Sequence, residues 1–528
     1  MINQKLLFAR AYEKEAGGKI GEGARPKFHF SPYVGWTNDP NGFSYYKGEY
    51  HLFYQSNPYN TVWDSMHWGH AVSRDLLHWE YLPAAMAPDE AYDDAGCFSG
   101  SALELDDGRH LLMYTGVHKE GGDHGEELQT QCIAVGDGLD YKKYENNPVL
   151  DASVLPEGFS RNDFRDPKIW RREDGSYACV VGARRKISPD AENDMCGEGA
   201  GDGKNGVSGE DGQQDPIGLG AILLFGSPDG FSWKFESILV ENDGRFGRMW
   251  ECPDFFELDG KHVLLCSPQD MLPEGFEYHN GNGTLCLIGS YDEETKKFSF
   301  EKNQTIDYGI DFYAAQTTLA PDGRRIMIAW MQNWDTCDQN GAKRRKWFGQ
   351  MSLPRELSIR DGRLYQQPVR ELELYRSNPV EHHKVGFEGE LSLDGVEGRL
   401  VDMELIVRRK EGADPYKKFA VRFAQNEQYR TSISYRPYES ILKIDRKFSG
   451  SRRAYIHQRR SLVPEKNGEL KLRIILDRFS VEVFINDGEQ VMTATVMTDV
   501  SAKGISFFAD GEVVMDVTKY ELFGDMRN

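Results

Sequence analysis

The 528-residue chain has no uncharged apolar run approaching the roughly 20 residues that span a bilayer, so no transmembrane helix is expected. Basic residues are in deficit: 63 Lys and Arg against 84 Asp and Glu leave a formal charge of −21. A surface of that sign repels phosphate backbones and anionic headgroups, which argues against nucleic-acid or membrane partners. The eight cysteines never lie closer than 14 residues and form no CxxC, so zinc-ribbon and thioredoxin-type sites drop out. Reduced, mostly buried thiols are expected instead. The N-terminus offers only four consecutive apolar residues, Leu6 to Ala9, against the about 7–15 of a secretory signal. Read as it stands, the chain is expected in the cytoplasm. Helical periodicity is scarce too: Leu6–Glu15 reads as one short helix, and little after it does.

What is present is a repeat. A polar-Gly turn followed by an apolar, aromatic run occurs at Lys47-Gly48-Glu49, Asp107-Gly108-Arg109, Asp174-Gly175-Ser176, Asp259-Gly260-Lys261 and Asp322-Gly323-Arg324. An Asp-Gly turn between apolar runs signals a hairpin, because glycine tolerates the positive φ that hairpin turns need. The turn glycines are 60, 67, 85 and 63 residues apart. Five hairpins at a near-constant period predict a radial repeat, a five-bladed β-propeller. The long interval contains the segment 190–215, with eight acidic residues and one lysine, and seven glycines between Gly197 and Gly212. Such a stretch buries little and reads as an insertion into the repeat.

Beyond Leu357 the period breaks. The charged stretch 371–384, which contains Pro379, is read as a linker. Strands of a different spacing follow, among them Leu472–Leu476 and Ser480–Ile485. In the latter, Val481, Val483 and Ile485 alternate with Glu482 and Phe484. The expected architecture is all-β: a five-bladed β-propeller over 27–370 followed by a C-terminal β-sandwich over 385–528, with 1–26 as an N-terminal extension.

Three acidic motifs precede hairpins of the repeat: Trp36-Thr-Asn-Asp-Pro-Asn-Gly42, Asp163-Phe-Arg-Asp-Pro167 and Trp250-Glu-Cys-Pro-Asp254. Each innermost strand of a propeller starts at the central channel, so three blades would aim Asp39, Asp166 and Glu251 at one point. Carboxylates converging in a funnel suit acid–base and nucleophilic chemistry.

With these motifs, and with Arg25–Pro32, Trp68–Trp79, Cys97-Phe-Ser-Gly-Ser101, Met351–Glu356 and Ser480–Phe484, the chain resembles glycoside hydrolase family 32, the β-fructofuranosidases. The resemblance covers most of the chain. It implies that Asp39 is the nucleophile, Glu251 the general acid/base and Asp166 the transition-state stabiliser. It also implies sugar contacts from Asn38, Gln55, Trp63, Phe98, Ser99, Arg165 and Tyr313. A retaining mechanism of that kind needs the Asp39 and Glu251 carboxyls about 5–5.5 Å apart. The expected substrate is a small sugar such as sucrose, sucrose-6-phosphate or a short fructo-oligosaccharide, with no cofactor and no metal. His67 with His70, and His382 with His383, lack a third ligand at a convincing spacing. The basic run Lys343–Lys346 has two readings, a solvated loop or a site for a substrate phosphate. For the sandwich the readings stay open among packing partner, surface for a homo-oligomer and remote sugar module.

Overall fold

The computed structural model describes residues 3–122, 125–187, 218–337, 345–450 and 456–523. Each of the five polar-Gly turns joins the innermost strand of a blade to its second strand. Gly48, Gly108, Gly175, Gly260 and Gly323 all take φ between +74° and +89°, the backbone that made glycine the informative residue there. Blade I comprises Gly35–Tyr46, Glu49–Asn57, His67–Ser73 and Glu80–Met86. Blade II comprises Gly96–Glu104, His110–Glu120, Glu126–Gly136 and Tyr141–Lys143. Blade III is Phe159–Arg171, Tyr177–Lys186, Gly218–Ser227 and Lys234–Glu241, and blade IV is Met249–Leu258, Lys261–Gln269, Leu285–Asp292 and Lys297–Gln304. Blade V is Tyr313–Leu319, Arg325–Trp330, Arg355–Arg360 and Arg363–Pro368. The ring closes where the short strand Trp347–Phe348 pairs in parallel with Gly35 and Trp36.

Apolar residues fill the seams between neighbouring blades, as where Ile133, Val181 and Phe225 meet between blades II and III. Side chains also tie the innermost strands together across the axis. Gln316 of blade V accepts from the Phe43 amide of blade I and donates to the Gly100 carbonyl of blade II. Lys168 of blade III pairs with Asp254 of blade IV at 2.9 Å and donates to the Thr317 carbonyl of blade V. Ser101 of blade II bonds to the Pro167 carbonyl and the Ile169 amide of blade III.

The segment 371–384 is not a linker. Arg370–Tyr375 is a 3-10 helix, and Arg376–Leu391 is already the first strand of the sandwich, paired with Gly504–Leu522. The charge and the proline that suggested a linker belong to an edge strand with one neighbour. The ladder slips between Ser377 and Val380, where Pro379 supplies no N–H. Gly504–Leu522 runs through both sheets of the sandwich, pairing with Val401–Arg409 along one half and Lys418–Gln425 along the other.

The alternation in Ser480–Ile485 has a different meaning from the usual one. Val481, Val483 and Ile485 enter the sandwich core, but Glu482 and Phe484 are buried as well, against the propeller. Glu482 accepts from His29 Nε2 at 3.0 Å and from Arg355 Nη2 at 2.6 Å. His29 also bonds Asp477 at 2.9 Å, and Arg355 pairs with Asp307 at 3.0 Å; all five groups are fully buried. The sandwich is therefore a packing partner of the propeller, joined to it through a charged, fully buried seam.

At the N-terminus, Gln4–Gly17 is helical and Asn3 caps it through the Lys5 amide. Leu6 packs with Ala84 and Ala87 of blade I, and Glu13 accepts from the Ala84 amide. The acidic insertion 190–215 lies outside the described residues. So do Lys343 and Arg344 of the basic run. Arg345 lies over the rings of Trp347 and Phe479, at 5.4 and 4.1 Å, where the propeller meets the sandwich. No helix among the described residues is long and apolar enough to cross a membrane.

Candidate active site

Each innermost strand slips its register near its start: after Thr37, Phe98, Arg165, Glu251 and Tyr313 in blades I to V. A bulge of this kind turns side chains out of the regular alternation and re-aims them. Three non-glycine residues at these bulges hold left-handed backbone: Asp166 (φ +67°), Cys252 (+50°) and Ala314 (+53°). Such conformations cost about 1–3 kcal/mol each and persist where packing enforces them, commonly at functional sites. The Asp-Pro and Glu-Cys-Pro motifs occupy these bulges, which is why they recur in phase with the repeat.

The bulges surround one cavity of about 470 Å³. Its walls carry Asn38, Asp39, Gln55, Trp63, Phe98, Ser99, Arg165, Asp166 and Glu251, nine of the ten residues singled out from the sequence. Tyr313, the tenth, is buried behind Glu251 and is not among the lining residues. Its hydroxyl lies 2.6 Å from Glu251 Oε2 and 3.1 Å from the Ser267 carbonyl.

Ser99 donates to Asp39 Oδ2 at 2.6 Å, while Oδ1 has no hydrogen-bond partner among the described residues. The Cys252 amide donates to Asp166 Oδ2 at 2.9 Å, and the Cys252 sulfur lies 3.6 Å from that oxygen and 3.7 Å from Asp39 Oδ2. Arg165 donates from Nε to Glu251 Oε1 at 3.0 Å, with Nη2 2.9 Å from the same oxygen as an ion pair, and donates from Nη1 to Asp163 at 3.3 Å. Both oxygens of Glu251 are thus engaged, one by a guanidinium and one by a phenol.

The electrostatics follow from this crowding. Burial pushes the Asp39 carboxyl up to about 6, against the Ser99 hydrogen bond, and the Glu251 charge adds to the rise. Burial also raises Asp166, to about 7; Arg165 opposes the rise, and Glu251 and Asp39 reinforce it. Burial would lower Arg165, but Glu251, Asp163 and Asp166 outweigh it and hold the guanidinium charged. The Cys252 thiol is pushed well up by burial and then by the Asp166 and Asp39 carboxylates, so it sits there as a neutral thiol.

Seven further residues complete the walls: Glu127, Gln129, Asn162, Asp163, Gln269, Asn282 and Trp334. None was singled out from the sequence as a site residue. Glu127 and Gln129 alternate on a strand of blade II, a signal that acquires meaning only when the facing blade is known. Trp334 comes from the loop after the second strand of blade V, stacked on Trp36.

Comparison with known proteins identifies the family. Residues 29–192 and 211–368 match the glycosyl hydrolases family 32 N-terminal domain, and residues 371–523 match the family 32 C-terminal domain. The chain belongs to glycosyl hydrolase family 32. It is a glycoside hydrolase. Among its relatives, the raffinose invertase of Escherichia coli is 35% identical over 96% of this chain and 97% of the relative. A sucrose-6-phosphate hydrolase of Zymomonas mobilis is 34% identical over 98% and 96%. Among solved structures, a mutant of the Bombyx mori family 32 beta-fructofuranosidase in complex with sucrose superposes with a TM-score of 0.79 at 32% identity, covering 99% of each chain.

Proposed function

We propose that this family 32 glycoside hydrolase is a retaining, exo-acting β-fructofuranosidase that removes a terminal fructose from sucrose or a short, uncharged fructo-oligosaccharide. The observation that carries the proposal is the convergence of Asp39, Asp166 and Glu251 on one cavity, with a different hydrogen-bonding environment for each. Asp39 attacks the anomeric carbon, with Ser99 steadying its Oδ2. Glu251 protonates the departing glycosidic oxygen and then takes a proton from the water that opens the fructosyl-enzyme. Asp166 holds fructose hydroxyls as positive charge develops on the ring. The Tyr313 hydroxyl suits an acid/base that alternates. It donates to the ionised Glu251, and when Glu251 carries the proton destined for the glycosidic oxygen it turns its own O–H toward the Ser267 carbonyl.

The choice of an uncharged substrate rests on the walls. Among the described lining residues the one cation is Arg165, already engaged by Glu251 and Asp163, whereas Glu127 and Asp163 add negative charge beyond the three acids. Among the described lining residues, a phosphate on the leaving group would meet carboxylates without a free guanidinium to pair with. Relatives named for sucrose-6-phosphate and for raffinose are similarly distant, so the cavity chemistry is the discriminator. The test is glucose release from sucrose beside glucose-6-phosphate release from sucrose-6-phosphate, with Asp39→Ala as the control. The expected result is a kcat/KM at least tenfold higher on sucrose and abolished in the variant. A preference for the phosphorylated sugar would refute the uncharged-substrate reading. Inactivity on both, and on kestose and inulin, would refute the activity.

A further inference from the structure

The sandwich touches the active site through one buried carboxylate. Asp311 lies two residues before Tyr313 and is fully buried. Its Oδ2 accepts from the Thr495 amide at 2.7 Å, from the Thr495 hydroxyl at 2.8 Å and from Arg446 Nη1, all three donors belonging to the sandwich. Its Oδ1 accepts from Thr336 Oγ1 at 2.8 Å. Thr336 lies on the loop that presents Trp334 to the cavity.

Arg446 is itself 3% exposed, with its remaining donors on Thr495 and on the Ile456 carbonyl. A buried guanidinium and a buried carboxylate are each costly to desolvate, and here each is the other's counter-charge. The pair thus fixes the backbone of Asp311 against the sandwich. Hydrogen bonds from Ile310 and Asp311 amides to the Thr493 carbonyl, at 2.7 and 3.1 Å, extend the same attachment. From that anchor the chain runs directly to Tyr313, whose hydroxyl must stay within reach of both Glu251 and the Ser267 carbonyl.

We infer that Arg446, with Thr495, is a positioning residue for the catalytic centre: through Asp311 it sets Tyr313 on Glu251. The sandwich then completes an active site whose described lining residues all belong to the propeller. The inference rests on the reading of Glu251 as acid/base and Tyr313 as its partner, and it adds a role for the second domain.

The test is a double-mutant cycle of Arg446→Gln with Tyr313→Phe in the full chain, scored on sucrose per folded molecule, with melting temperature measured in parallel. The expected result for Arg446→Gln alone is a kcat about tenfold lower, the size of one displaced catalytic hydrogen bond. In the Tyr313→Phe background the same substitution is expected to change kcat less than twofold, because the contact it positions is gone. Thr495→Val, a milder change, is expected to lower kcat about threefold with the same dependence on Tyr313, and it decides the matter if Arg446→Gln does not fold. A lower melting temperature with unchanged kcat, or an equal loss of kcat in both backgrounds, would overturn the inference. Wild-type inactivity on every fructoside would instead overturn the functional reading beneath it.

Discussion

Replacing His29 by Gln should remove a stabilisation that depends on pH in a defined direction. His29 is fully buried at the domain seam, 2.9 Å from Asp477 and 3.0 Å from Glu482. Burial alone would lower its pKa, but hydrogen bonds and charge from the two carboxylates outweigh that and raise it from 6.5 to about 9. The folded value lies above the unfolded one, so the stabilisation is complete below pH 6.5 and is lost as pH rises toward 9. A gap of that size corresponds to about 3 kcal/mol. For a chain of this length, with an unfolding entropy of about 1.1 kcal/mol/K, it is worth about 3 °C in melting temperature. Asp477 also accepts from the Lys27, Phe28 and His29 amides, so the N-terminal arm is pinned to the sandwich by the same group. Calorimetric melting of wild type and His29→Gln at pH 6 and at pH 9.5 checks this. The wild-type advantage should shrink by about 3 °C between the two. A difference that stays constant with pH, or grows, would refute a buried imidazolium at the seam.

Three further outcomes are expected at the catalytic centre. Asp39→Asn should lower kcat on sucrose by about 10⁴-fold or more while the melting temperature holds or rises, because it removes the proposed nucleophile, which is also a buried charge near Glu251; a concurrent drop in melting temperature would count against that assignment. The acid limb of kcat/KM should bend between about pH 7 and pH 6, where falling pH protonates Asp166 and then Asp39, and a profile flat to pH 4.5 would contradict it. Arg165→Lys should cost about 10- to 100-fold in kcat/KM, since an ammonium cannot span Glu251, Asp163 and Gln129 as the guanidinium does. A loss under threefold in that variant would show that the fork geometry is unimportant.

Turn chemistry carried most of what was legible in advance. A hairpin whose glycine must sit at positive φ announces itself in two or three residues, and five such hairpins at one period imply a ring. The acidic motifs were legible for a related reason: they occupy the bulges at the mouth of the innermost strands, so they recur at the phase of the repeat. Position in a repeat is a property of sequence, and it brought Asp39, Asp166 and Glu251 to one cavity, where six of the seven residues implied by the family resemblance also lie.

What the tertiary structure decided were matters of partner, not of pattern. Arg376–Val385 has the composition of a linker, and only pairing with Gly504–Leu522 makes it an edge strand. Glu482 alternates with valines as a solvent-facing residue would, yet its partners His29 and Arg355 lie 453 and 127 residues away. The resemblance implies a sugar contact for Tyr313, but only the packed chain places its hydroxyl on Glu251, behind the cavity wall. The physical reason is common to all three. Local backbone preference is written within a few residues and can be read there, whereas the counter-charge or hydrogen-bond partner of a buried group is supplied by whichever distant strand the fold brings beside it.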